Sequence, residues 1–158
     1  MGFQRDAVAW VRGQAAALSV DPARVVVAGF SSGGSVAALV ATASAPGDLR
    51  GAVLMSACVA PREDAWFRRM TEARVSEAEV TPAAQLGATD PATLAVHGDA
   101  DEACPYADTV AFVTAAKNTG VDAELVTLAG ATHFFPFRSP DARTRAADAI
   151  ERFLGRTR

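Results

Sequence analysis

The sequence predicts an α/β fold in which about four parallel strands form one sheet, with helices on both of its faces. Short, nearly continuous apolar runs alternate along the chain with longer segments whose apolar residues recur at helical spacing. Apolar runs of this kind are typical of strands in a parallel sheet that is covered on both faces. Because the two patterns alternate, right-handed strand–helix–strand units are expected.

The first half of the chain contains a leading helix, two strands and the helix between them. Apolar residues recur at helical spacing over about residues 3–18. The first strand is predicted at residues 24–28, and an Ala- and Val-rich helix follows at about 33–44. The apolar run at 51–56 is predicted as the second strand.

A more polar stretch separates these elements from the second half. Residues 62–90 combine arginine and glutamate with aromatic side chains, and we expect one or two short helices and loop there. We interpret about 59–90 as a short cap or loop region over the site. It belongs to a single domain that comprises residues 1–158.

The remaining elements repeat the alternation. The third strand is expected at 93–96, a helix at 105–117, and the fourth strand at 123–128. Ser139-Pro140 begins the last helix, because serine is a favourable cap and proline fits the first turn.

A Gly-x-Ser-x-Gly motif lies where the first strand leads into its helix. Gly29, Ser31 and Gly33 follow three valines, which predicts the strand, sharp turn and helix of a nucleophile elbow. Such a turn lifts the Ser31 hydroxyl out at the end of a strand. Ser32 would need a small residue at the position of Phe30, so Ser31 is the expected nucleophile. A loop that merely turns a strand into a helix is the alternative.

Two further residues follow later strands and complete the chemistry that a serine requires. A serine hydroxyl needs a base within hydrogen-bond reach and a carboxylate that orients the base. His133 lies just after the fourth strand, and Asp101 lies in the loop after the third. Since sites in parallel sheets gather at the carboxyl ends of strands, Ser31, Asp101 and His133 are expected at one edge.

Other residues compete for these roles. His97 ends the third strand and is expected to pack or to bond to backbone rather than act as the base. Asp99 is expected to shape its own turn, and Glu102 to be solvated. The alternatives are that His133 is a loop histidine without function and that the carboxylates form an acidic surface loop.

The helix after Ser31 offers a site for a developing oxyanion. Its N–H groups and positive dipole end would face the reacting carbonyl, with the Ser32 N–H as one donor. A group of mostly aromatic side chains is expected to line a substrate pocket beside this site. Simple packing in the core or cap explains the presence of these side chains equally well. These are Phe30, Trp66, Phe67, Met70, Phe134, Phe135 and Phe137.

The three segments together resemble the α/β-hydrolase superfamily, most closely esterases of the acetyl-esterase, feruloyl-esterase-like and dienelactone-hydrolase-like kind. Residues 21–34 resemble the nucleophile segment, 91–101 the acid segment and 130–135 the histidine loop. The resemblance implies a minimal α/β-hydrolase that cleaves small carboxylic esters through an acyl-serine intermediate. It implies Ser31 as nucleophile, Asp101 as acid and His133 as base, with no metal and no organic cofactor.

The sequence departs from this family's pattern at its start. The family normally has several strands before the helix that leads to the elbow, and a His-Gly-Gly loop there often supplies the second oxyanion donor. This sequence has no His-Gly-Gly and resembles the C-terminal half of the fold. The alternatives are therefore a thioesterase or acyltransferase with the same triad, or a catalytically silent half-domain that acts as an assembly module.

Composition and charge argue against several partners. The net charge is −3, with scattered basic residues, which gives no support for nucleic-acid binding. No apolar run approaches the roughly 18 to 20 residues of a membrane helix, and no signal-peptide pattern is present, so a cytoplasmic location is expected. Cys58 and Cys104 follow neighbouring strands and are expected to lie close together as free thiols.

The first strand predicts a homodimer or larger homo-oligomer. In the complete fold of the resembling family this strand is internal, and here no proline or lysine at 25–29 blocks its edge. Pairing across a two-fold axis would run the two first strands antiparallel. The alternative is that residues 1–18 fold over the edge and keep the chain monomeric.

Overall fold

A four-stranded parallel sheet is the centre of the computed structural model, which describes residues 2–60 and 76–156, without the side chains of 2–5, 77 and 78. The strands lie in chain order, and every neighbouring pair is parallel. They are β1 (Val26–Phe30), β2 (Gly51–Met55), β3 (Ala92–Gly98) and β4 (Ala123–Leu128). The predicted fold class is confirmed.

Helices connect these strands and flank the sheet. In chain order the α-helices are α1 (Gly2–Gly13), α2 (Ala15–Leu18), α3 (Ser32–Ala43), α4 (Glu77–Val80), α5 (Tyr106–Asn118), α6 (Phe135–Arg138) and α7 (Pro140–Arg156). The predicted leading helix is divided at Gln14, and the one-turn helix α6 was not predicted. β1 begins later than predicted because Asp21 accepts a hydrogen bond from the Ala23 N–H and caps a 3-10 turn.

The apolar core lies on both faces of the sheet. On one face, alanines of α3 and the Phe112 region of α5 pack against Leu54 and Ala95. On the other, Phe153 and the alanines of α7 pack against Leu94 and Val96, which are both fully buried. Complete burial of such a side chain stabilises the fold by roughly 1.5–3 kcal/mol. The alanine-rich helix faces allow α3 and α7 to lie close to the sheet.

β1 lies at one edge of the sheet, and within the described ranges β2 is the strand that pairs with it. Its side chains are half-buried, apart from the exposed Ala28. α1 packs beside α3, where Arg12 donates hydrogen bonds to the carbonyl oxygens of Pro22 at 2.6 Å and Asp48 at 3.0 Å. Pairing of two chains through this edge stays a prediction.

The stretch expected to form a cap is described only in part. Ser76 and Glu79 form a capping box at α4, in which the Glu79 carboxylate accepts the Ser76 N–H at 2.9 Å. A 3-10 turn at Pro82–Gln85 follows. The cap over the site therefore stays a prediction. None of the helices in residues 2–60 and 76–156 has the length and apolar character of a membrane span.

A disulfide joins Cys58 and Cys104, whose Cα atoms are 4.8 Å apart. Their predicted proximity is confirmed, because adjacent parallel strands bring the loops after β2 and β3 together. The expectation of free thiols is wrong, since this separation falls within the roughly 4.4–6.8 Å that a disulfide spans. Disulfides are typical of proteins that fold in oxidising compartments, so the cytoplasmic location stays a prediction that requires a test.

Replacing both cysteines with alanine is expected to lower the free energy of unfolding by about 2–4 kcal/mol. The bond links residues separated by 46 positions and restricts the unfolded chain. Denaturant unfolding of the oxidised protein and the double variant measures the difference. A reductant should reproduce the loss in the wild type and leave the variant unchanged. Equal free energies of unfolding for the wild type and the variant, each with and without reductant, would contradict the disulfide.

Candidate active site

The turn between β1 and α3 presents Ser31 at the carboxyl end of β1. Ser31 has φ 56° and ψ −125°, a conformation that residues other than glycine rarely adopt. The Ser31 N–H donates to the Met55 carbonyl at 3.0 Å, and the Ser31 carbonyl accepts the Gly34 N–H at 2.9 Å. These hydrogen bonds hold the strained residue between β2 and the first turn of α3.

Gly29 allows β1 and α3 to pass very close to each other beneath this turn. A Cβ at position 29 would overlap the Gly33 carbonyl and lie 2.7 Å from the Gly34 nitrogen. Because both neighbours are backbone atoms, they cannot move aside without displacing α3. A side chain at this position would therefore shift Ser31.

The His133 imidazole joins Ser31 to Asp101. Its Nδ1 lies 2.8 Å from Asp101 Oδ2, and its Nε2 lies 2.9 Å from Ser31 Oγ. A carboxylate only accepts hydrogen bonds, so Nδ1 carries the ring proton and Nε2 accepts the hydroxyl proton of Ser31. His133 and Asp101 are each 7% exposed. The structure thus brings together three residues that follow β1, β3 and β4.

The loop after β3 holds the Asp101 carboxylate with backbone donors. Asp101 Oδ1 accepts the N–H groups of Ala103 at 3.0 Å and Cys104 at 2.9 Å. Burial raises the pKa of Asp101, but hydrogen bonds from Cys104 and His133 and the nearby Ser56 hydroxyl together lower it below the ordinary 3.8. The carboxylate therefore stays ionised at neutral pH.

His97 is completely buried behind the same loop. Its Nε2 donates to the Cys104 carbonyl at 2.9 Å and lies 3.2 Å from Asp101 Oδ2, and its Nδ1 accepts the Thr109 hydroxyl at 2.9 Å. Burial is the largest influence on the pKa of His97 and lowers it below 6.5, although Cys104 and Asp101 act in the opposite direction. The ring is therefore neutral at neutral pH, and both of its nitrogens are engaged away from Ser31.

Of the carboxylates in this loop, Asp101, and neither Asp99 nor Glu102, is hydrogen-bonded to His133 in the described structure. Asp99 Oδ1 accepts the Gly130 N–H at 2.6 Å. It therefore links the loop after β3 to the loop that carries His133, rather than shaping its own turn as expected. Glu102 is exposed.

Aromatic rings cover one side of the His133 imidazole. The ring centroids of Phe30 and Phe134 lie 5.1 and 5.0 Å from the imidazole centroid. Phe137 packs edge-on against Phe30 and is 73% exposed. The Arg138 guanidinium lies 5.3 Å above the Phe134 ring. These rings form an apolar wall that is open to solvent beside the serine.

Not every aromatic residue predicted at the site lies there. Phe135 is 1% exposed and packs in the core on the α7 side of the sheet. Its prediction as a substrate-binding residue is wrong, because α6 turns it inward. The proline after Phe135, which suits the first turn of a helix, is the signal that could have revealed α6. Trp66, Phe67 and Met70 lie outside the described residues.

The sequence analysis did not predict that Ser56 and Thr109 lie near the candidate site. Thr109 is the hydrogen-bond partner of His97. Ser56 is fully buried at φ 40°, and its N–H donates to the Val96 carbonyl at 2.9 Å. Its hydroxyl faces Asp101 closely enough to lower that pKa but has no hydrogen-bond geometry with any described residue. A single serine directly after an apolar strand is a weak signal, so only the fold assigns it to the site.

α3 directs its N-terminus toward Ser31. The Gly34 and Ser35 N–H groups bind the carbonyl oxygen of Ser31 at 2.9 and 3.3 Å. Ser32 is the first residue of α3, so its N–H is the candidate oxyanion donor at the positive end of the helix dipole. Among the described residues, no three or more metal-ligating side chains are grouped to hold an ion. That the chain needs no cofactor stays a prediction.

Comparisons with known proteins point to hydrolases. The pattern of the prolyl oligopeptidase family matches residues 3–157. Esterase 2 of Thermogutta terrifontis, phosphoramylated by tabun, matches with a TM-score of 0.85 and 27% identity over 96% of this chain and 62% of that chain. The propionate-bound form of this planctomycete esterase has a TM-score of 0.83 and 30% identity, with the same coverage. The chain thus spans less than two thirds of these esterases. No curated protein matches the sequence.

Acidification is expected to destabilise the fold through His97. The unfolded histidine has a pKa near 6.5 and the folded one lies lower, so the stabilising contribution is complete above 6.5 and is lost as the pH falls toward the folded pKa. Asp101, with a pKa below 3.8, loses its contribution only at more acidic pH. Denaturant unfolding from about pH 8 to about pH 5 should show the decline. His97→Gln should flatten the curve, whereas parallel curves would contradict a buried neutral ring.

Proposed function

The chain belongs to the prolyl oligopeptidase family, and on this premise we propose that it is a serine hydrolase that cleaves small carboxylic esters. The observation that carries the proposal is the His133 imidazole, which lies within hydrogen-bond distance of both Ser31 Oγ and Asp101 Oδ2. A nucleophile, a base and an orienting acid in this arrangement are the requirements of acyl transfer.

Ser31 is the proposed nucleophile. Its hydroxyl proton passes to His133 Nε2 as Oγ attacks the ester carbonyl, and the ionised Asp101 stabilises the imidazolium that forms. His133 then gives the proton to the leaving alcohol, which leaves an acyl group on Ser31. A water molecule, deprotonated by His133, attacks this acyl-enzyme, and the carboxylic acid departs as Ser31 regains its proton.

The N–H of Ser32 is the proposed oxyanion donor. It lies directly after the nucleophile at the start of α3, where the helix dipole favours negative charge. We assign no second donor among the described residues. One such donor typically contributes about 10²- to 10³-fold in turnover.

Esters with short acyl groups are the proposed substrates. Solved forms of the Thermogutta esterase hold propionate and butyrate, and the wall of Phe30, Phe134 and Phe137 offers apolar surface next to Ser31. The pocket roles of Trp66, Phe67, Met70 stay predictions. Peptide hydrolysis, thioester cleavage and acyl transfer use the same three side chains, so the substrate test must include them.

Ser31→Ala, His133→Ala and Asp101→Asn are each expected to lower the hydrolysis of p-nitrophenyl acetate by about 10⁴-fold, because the three residues act as a unit. Ser32→Ala is the matched control. It changes the adjacent serine but keeps the backbone N–H, so most activity should remain. Circular dichroism confirms that each variant folds. Equal activity of wild type and Ser31→Ala would refute the proposal.

The preferred reaction is distinguished by rates on p-nitrophenyl butyrate, a butyryl thioester and a peptide anilide, with and without an acceptor alcohol. Faster turnover of the ester supports an esterase. Paraoxon, which phosphorylates the Thermogutta enzyme, should add one diethylphosphoryl group to Ser31 and none to Ser31→Ala by mass spectrometry. A folded wild type that paraoxon does not modify would instead favour a silent assembly module.

We also propose that two chains pair through β1, which lies at the sheet edge with half-buried side chains on either side of the exposed Ala28. Light scattering at low micromolar concentration should then give the mass of a dimer. Ala28→Lys places a charge on this edge and is expected to yield monomers, whereas Ala28→Ser should not. An active wild-type protein with the mass of a single chain would exclude the dimer.

A further inference from the structure

We propose that His97 is a positioning residue, which holds the Asp101 carboxylate in line with His133 for proton transfer. The inference rests on the proposed role of Ser31, Asp101 and His133 in hydrolysis. It assigns a task to a buried, titratable side chain that this mechanism does not otherwise use.

The Asp101 carboxylate is surrounded by donors. An ionised carboxylate has about four acceptor sites. Oδ1 accepts the N–H groups of Ala103 and Cys104, and Oδ2 faces His133 Nδ1 at 2.8 Å and His97 Nε2 at 3.2 Å. Rotation of the carboxylate would break contacts on both oxygens. We infer that His97 fixes the oxygen that orients His133, while the loop backbone holds the other oxygen.

The orientation of the His97 ring is itself fixed. The Cys104 carbonyl can only accept, so Nε2 carries the ring proton and donates it to that carbonyl, with Asp101 Oδ2 3.2 Å from the same nitrogen. Nδ1 is left as an acceptor for the hydroxyl of Thr109, which is 1% exposed on α5. Tyr106 packs edge-on against the ring at 6.0 Å. The protonated Nε2 of His97 therefore faces Asp101 Oδ2.

The neutrality of His97 matters for its task. The titratable groups that face it in the described structure are Asp101, His133 and Tyr106. A second imidazolium beside Asp101 would compete with His133 for the carboxylate's charge at the step where His133 gains its proton. A neutral N–H donor holds the carboxylate in place and leaves most of its charge for His133.

His97→Leu removes the donor at similar volume, and His97→Gln keeps an N–H near Nε2. We expect kcat for p-nitrophenyl acetate to fall about 10- to 100-fold in His97→Leu, the range for loss of a hydrogen bond to a charged group. KM should change little, because no substrate contact is lost. His97→Gln should recover most of the rate. The acidic limb of kcat/KM against pH should move to lower pH in His97→Leu, because a carboxylate that is no longer held in line stabilises the His133 imidazolium less.

An NMR measurement, which does not require that the protein hydrolyse a substrate, tests this inference separately from the proposed function. The proton on His133 Nδ1 should give a downfield NMR resonance in wild type and His97→Gln that is broadened or lost in His97→Leu. Such a change in a protein that hydrolyses nothing would support positioning while rejecting the esterase. An unchanged resonance and kcat in folded His97→Leu would overturn the inference.

Two further variants keep the test decisive. If His97→Leu does not fold, Thr109→Val leaves His97 in place but removes the hydroxyl that fixes Nδ1. It should broaden the same resonance and lower kcat several-fold, and no effect on either would overturn the inference. Thr93→Val is the matched control for Thr109→Val. Thr93 is also a buried threonine, but it lies at the end of β3 opposite to His97. It should change stability without changing the resonance or the pH profile.

Discussion

The hydrogen bond between His133 Nδ1 and Asp101 Oδ2 sets the geometry that the surrounding structure has to supply. It requires two loops from different strands to hold a donor and an acceptor 2.8 Å apart with little access for water. Adjacent parallel strands provide this, since β3 and β4 end at the same edge and their loops meet there. The link between Asp99 and Gly130 and the close approach of Gly98 to Ala131 hold the two loops together.

Ser31 is positioned next to His133 and Asp101 by the backbone conformation of its own turn. Ser31 occupies a strained turn that is held from β2 and from α3, and its position depends on the absence of a side chain at Gly29. Backbone strain of this kind costs of order 1–3 kcal/mol and persists only where contacts with the surrounding structure hold the residue in place. The rigid parts of the fold thus support the Ser31 conformation on which the proposed chemistry depends, while the aromatic wall beside His133 is exposed.

Sequence patterns predicted the strands, the order of the helices and the three polar residues at the strand ends, because these depend on local spacing. Ser31, for example, lies between glycines after a run of valines. Features that depend on tertiary contacts escaped prediction. Phe134 and Phe135 are neighbours in the chain, yet one is half-exposed beside His133 and the other is core, as decided by one helical turn. The disulfide and the burial of Ser56 likewise follow from how adjacent loops meet.

The disulfide connects parts of the site that are far apart in the chain. The Cys58 carbonyl accepts the Ser35 hydroxyl of α3, and Cys104 donates its N–H to Asp101 and accepts from His97. The disulfide therefore couples the segment after β2 to the loop that holds Asp101, and regions coupled in this way tend to open together. We therefore expect that local opening of the loop that holds Asp101 also disturbs the neighbourhood of Ser31, so that the two residues lose their positions together rather than one after the other.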